Sequence, residues 1–191
     1  MSAPSHVLTR RRAGLLLMSL CALPAAHADR KAATAPRTMT WEELVPKGWD
    51  PLEGLRDMMK EGGGLSLLSD GDPRAMALMR ELRARWDAAP VRAELDGTRV
   101  KLPGYVVPLQ QQGGQVSELL LVPYFGACIH TPPPPANQIV HAALDKPLPL
   151  RSMDVVWATG TLRTRRHDGG MGTSGYALEG LSVEPYKAPA R

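Results

Sequence analysis

The chain has 191 residues, 43% hydrophobic and 22% charged, with eighteen prolines, eighteen glycines and one phenylalanine. That is the composition of a turn-rich globular protein with a modest core. Its formal charge of +4 rests on Arg10, Arg11 and Arg12; without residues 1–28, 20 basic side chains face 19 acidic ones. A near-neutral mature chain lacks the net basic face that nucleic-acid binding requires.

Residues 1–28 read as a cleaved signal peptide. Arg10-Arg11-Arg12 precedes the apolar run Leu15-Leu16-Leu17-Met18 and the small-residue site Ala26-His27-Ala28, the three parts of a secretory leader. The run is too short to span a membrane. Thr9 before the arginines also suits twin-arginine export, so either that route or the general secretory route delivers a periplasmic protein. Cys21 follows Leu20 rather than a small residue, which disfavours a lipoprotein. Cleavage after Ala28 leaves 163 residues, enough for one domain, and one cysteine, Cys128. A lone exported thiol is buried, paired between molecules, ligated or reactive.

Residues 29–39 are small and polar and read as a tether. A helical arm is expected over 40–89. Thr40 and Glu43 form a capping box at its start, and a short helix is expected over 52–60, ended by Gly62-Gly63-Gly64. Asp72 and Pro73 open its longest helix, with Ala75, Leu78, Met79, Leu82 and Trp86 on the buried face. From Pro90 the pattern changes to β, and residues 90–191 are expected to form a small open OB-like β-barrel, with a compact β-sandwich as the alternative. The expected strands are 99–109, 115–123, 137–144, 155–164 and 176–184. Gly160 in the fourth suits a sharply curled barrel strand. Arg166–Gly172 is expected as the loop of the last hairpin, with His167 a solvated turn residue.

The distinctive segment is Tyr124–Gln138. Cys128 and His130 share one side of an extended chain, and a thiolate beside an imidazole suits zinc first and copper second. Pro132–Pro135 stiffen the chain that leads to His141, a third candidate ligand. A core thiol with a bracing imidazole, or a catalytic Cys128/His130 pair, are the competing readings of the same residues. Phosphate-loop, dinucleotide, nucleophile-elbow and zinc-protease motifs are absent. A binding or accessory module therefore fits better than an enzyme.

The blocks Trp41–Pro46, Leu102–Leu109, Tyr124–Gln138, Val156–Leu162 and Val183–Tyr186 resemble the secreted proteobacterial family called domain of unknown function 3299. The resemblance implies an exported protein often encoded beside ABC-type transport components, in some cases in zinc-responsive gene clusters. Membrane transport components are accordingly the implied partners, and the implied role is an accessory one in zinc homeostasis. A thiol-dependent periplasmic enzyme and a structural interaction module are the alternatives, and the sequence leaves the oligomeric state open.

Overall fold

The computed structural model describes residues 35–53, 56, 72–127 and 133–187. The expected leader, the greater part of the expected helix at 52–60, and Cys128 and His130 lie outside them. Among the described residues no helix is long and apolar enough to cross a membrane.

Five long strands form the barrel: β2 (Arg99–Gln112), β3 (Gln115–Val122), β4 (Val140–Leu148), β5 (Val155–Arg163) and β8 (Tyr176–Pro185). They are ordered β2-β3-β4-β8-β5, and β5 pairs back onto β2, so the ring is closed. All neighbours are antiparallel except β4 and β8, which run parallel from Val140↔Tyr176 to Ala142↔Leu178. The barrel expected from the sequence is present, closed rather than open, and the β2–β5 ladder from Arg99↔Thr161 to Tyr105↔Val155 joins what a sandwich would keep apart.

Alternation explains how these sequences fill the barrel. Val100, Leu102, Gly104 and Val106 of β2 and Val156, Ala158, Gly160 and Leu162 of β5 alternate inward and are buried, while the residues between them are half-buried. β3 instead carries an unbroken buried run, Leu119–Val122. Leu119 and Leu121 belong to the barrel interior. Leu120 and Val122 join Val107, Ala127 and Ile139 in a second cluster on the outer face. A strand covered on both faces loses the polar half of its alternation.

The N-terminal segment belongs to the barrel. Arg37–Thr38 (β1) pairs in parallel with Val100 and Lys101, and Met39 is 1% exposed, so the expected tether ends before Arg37. The capping box at Thr40 and Glu43 is formed, and it starts a 3-10 turn, Trp41–Leu44, whose two apolar side chains are buried in the barrel core. Trp41 donates its indole N–H to the Pro103 carbonyl at 2.7 Å. A Cβ on Gly104 would lie 2.6 Å from Leu121 Cγ and 3.0 Å from Trp41; only glycine leaves room for the indole beside β2. Tyr176, fully buried, donates its hydroxyl to the Leu44 carbonyl and accepts from the Arg92 amide, both at 2.7 Å.

Helix α1 (Pro73–Asp87) begins as expected, with the Asp72 carboxylate accepting from the Arg74 amide at 2.8 Å. Its burial is thinner than its pattern suggests. Leu78 is buried, Ala75, Leu82 and Trp86 are half-buried, and Met79 is 45% exposed. Met79 therefore does not pack in a core. The Arg166–Gly172 segment is likewise more than a loop: β6 (His167–Gly169) and β7 (Gly172–Ser174) form a small hairpin of their own just ahead of β8.

Candidate functional site

The outer face of β3 and β4 carries a cluster of ionisable side chains. The register sets Leu120 opposite His141 and Glu118 opposite Ala143. Glu118 and His141 are therefore diagonal neighbours on one face, a spacing that long side chains bridge. The His141 Nε2 and Glu118 Oε1 atoms lie 2.7 Å apart, with side-chain exposures of 11% and 20%. The hairpin brings a third group: the His167 ring stacks on that of His141, with centroids 4.0 Å apart and planes 12° apart.

Each of Glu118, His141 and His167 offers one ligand atom, and the three atoms lie within 4.8 Å of one another. Ligands around tetrahedral zinc at about 2.1 Å stand about 3.4 Å apart. A zinc ion would therefore draw the set inward while the Glu118–His141 contact lengthens. Two imidazoles and one carboxylate leave the fourth position open, as at catalytic or exchange sites. The neighbouring carboxylate, Asp168, is held below its ordinary range first by the Arg166 guanidinium and then by the Thr173 hydroxyl. Its tie to Thr173, at 3.0 Å, braces the hairpin that carries His167.

The ionisable neighbours of His141 among the described residues are thus Glu118 and His167. His167 is not a solvated turn residue. Cys128 and His130 lie outside the described residues, and the chain on either side of them is anchored nearby. Ala127 is fully buried against Leu120 and Ile139 in the outer cluster, and Pro133 packs where a Cβ on Gly172 would meet it at 3.2 Å. Ile139 is two residues from His141 along the chain, so these anchors share its face. Sequence reading missed Glu118 because a carboxylate at the head of an apolar strand is ordinarily a solvated one. His167 lacked any local signal; its role depends on how the hairpin folds back.

Comparison with known proteins agrees with this architecture. The family model described as "Protein of unknown function (DUF3299)" matches residues 41–185. No curated protein matches the chain. Among solved structures, the crystal structure of a DUF3299 family protein from Pseudomonas aeruginosa PAO1 is similar, at 35% identity and a TM-score of 0.59, covering 82% of this chain and 99% of that one.

Proposed function

The chain belongs to the DUF3299 family, and we propose that it is an exported accessory protein that binds a divalent transition metal, zinc first and copper second. The observation that carries this reading is the convergence of Glu118, His141 and His167 within 4.8 Å. Imidazole and carboxylate are the donors that zinc and copper take in open sites. Three protein ligands on an outer face suit a metal that is received and passed on. The Arg-rich leader supports delivery to the periplasm, where membrane transport components are the proposed partners. Cys128 and His130 are proposed as additional donors from the proline loop.

Metal analysis and calorimetric titration of the chain beginning at Asp29 test this reading. Wild type should take up one zinc ion, and His141→Ala and His167→Ala should each weaken uptake by more than about tenfold, since loss of even an outer-shell partner costs that much. No zinc or copper above background in loaded wild type would overturn it. Cys128→Ser and His130→Ala in the same series settle whether the proline loop contributes ligands.

A second reading rests on the 2.7 Å Glu118–His141 contact. A carboxylate that orients an imidazole is two thirds of a nucleophilic triad, and Cys128 would be the nucleophile. Turnover of a thioester or ester substrate by the metal-free protein, abolished by alkylation of Cys128, would favour it over metal binding.

A further inference from the structure

A cleft of about 490 Å³, with none of Glu118, His141 and His167 in its walls, lies between the 3-10 turn at Trp41, the chain near Trp49, the end of β3 and the segment that leads into β4. Trp41, Trp49, Tyr124 and four prolines make up most of its walls, and Glu42 and Gln138 bring its charged and amide groups. We infer that this cleft binds a proline-rich extended segment of a protein partner, with a lysine or arginine of that segment paired to Glu42.

The wall chemistry selects this occupant. Trp41 and Pro134 are buried at the floor, and the accessible walls are Trp49, Tyr124, Pro51, Pro123 and Pro135; polyproline II segments dock on such aromatic and proline surfaces at low entropic cost because they are already extended. Two of the lining donors are committed inside the protein. Trp41 Nε1 donates to the Pro103 carbonyl, and the Gln138 amide nitrogen donates to the Trp41 carbonyl at 2.8 Å. These two donors are unavailable to the hydroxyls of a sugar, whereas proline rings ask for none. An acyl chain would offer nothing to Glu42. That side chain is exposed and has no ion-pair partner among the described residues. Its own backbone amide first, and the Thr40 side chain second, hold its carboxyl below the ordinary range, so it is a fixed anion at the rim. A basic residue beside the prolines supplies the complementary charge.

The test is a nuclear magnetic resonance titration of the isotope-labelled chain beginning at Asp29 with a synthetic peptide of six prolines, two arginines and one alanine. The expected result is a saturable shift of the Trp49 indole resonance and of backbone resonances around Glu42 and Pro135. Replacing the prolines by alanine should weaken binding about tenfold or more, as should Trp49→Ala, an aromatic anchor. Glu42→Gln, an exposed substitution that leaves the fold intact, should remove the preference for this peptide over one with glutamine in place of arginine. His141→Ala should bind the peptide as wild type does, which separates this result from the fate of the metal reading. Absence of saturable shifts in a folded wild-type sample, equal binding of the alanine peptide, or shifts of the same resonances by an oligosaccharide or phospholipid vesicles but not by the peptide would each overturn the inference.

Discussion

Removing the hydroxyl of Tyr176 tests whether the buried N-terminal turn is held as the structure indicates. In Tyr176→Phe the ring stays in place, but the Leu44 carbonyl loses its donor and the Arg92 amide its acceptor, each at 2.7 Å in the wild type. Leu44 is 1% exposed, so its carbonyl bears the full cost of an unpaired buried group, about 1–3 kcal/mol. Arg92 is half-buried and its amide recovers part of its loss from water, about 1 kcal/mol. The expected destabilisation is therefore about 2–4 kcal/mol, or a fall in Tm of roughly 6–12 °C for a domain of this size. Urea unfolding should show a lower midpoint at unchanged slope, because the same surface is exposed on unfolding. Burial also raises the Tyr176 phenol above its ordinary value of 10.0. The folded state then keeps a proton that the unfolded chain has lost. This contribution is complete below about pH 10 and declines as pH rises through the folded value, so the gap between wild type and variant should narrow in strong alkali. A loss below about 0.5 kcal/mol, within the range of ordinary surface substitutions, would refute the reasoning.

Gly104→Ala places a methyl group 2.6 Å from Leu121 and 3.0 Å from Trp41; calorimetry should show a loss of about 1–3 kcal/mol, the cost of overpacking. The Glu179 carboxyl is held below its ordinary 4.5 by the hydrogen bond from Arg163 first, with Arg165 adding to it. Its contribution is present above pH 4.5 and fades as pH falls through the folded value, so thermal melts of Glu179→Gln should lose less between neutral and acid pH than those of wild type. If Glu118 is a metal ligand, zinc at a hundredfold excess over its dissociation constant should stabilise wild type by about 2.7 kcal/mol, and Glu118→Gln should show a much smaller gain in the same melts. Mass spectrometry of exported material should find the N-terminus at Asp29; a lipid on a retained Cys21 would refute that cleavage site.

The barrel was legible where its physics is local and the site was hidden where it is not. Alternation in Arg99–Leu109 and Val155–Thr164 marks strands with one face inward, and the mid-strand Gly160 marks a tight curve, since a Cβ there would come within 2.8 Å of the Glu179 carbonyl. Ring closure escaped prediction because nothing within β2 or β5 records that Val100 lies opposite Gly160, sixty residues on. The expected tether failed at Arg37 for the same reason: two residues without any strand pattern become β1 because β2 offers them backbone partners. His141 could be singled out from its distance to the proline loop alone. Glu118 could not, because its pairing with His141 depends on the β3–β4 register, and a one-residue slip would send it to the opposite face. His167 lies further still from local reading. Its neighbours Asp168, Gly169 and Gly170 carry turn chemistry, and a turn residue is ordinarily solvated. Only when Thr173 and Arg166 fix Asp168 does the hairpin set that imidazole against the ring of His141. The strand pattern thus builds the platform, and the tertiary fold, through three residues that no local motif links, brings two imidazoles and a carboxylate together on it.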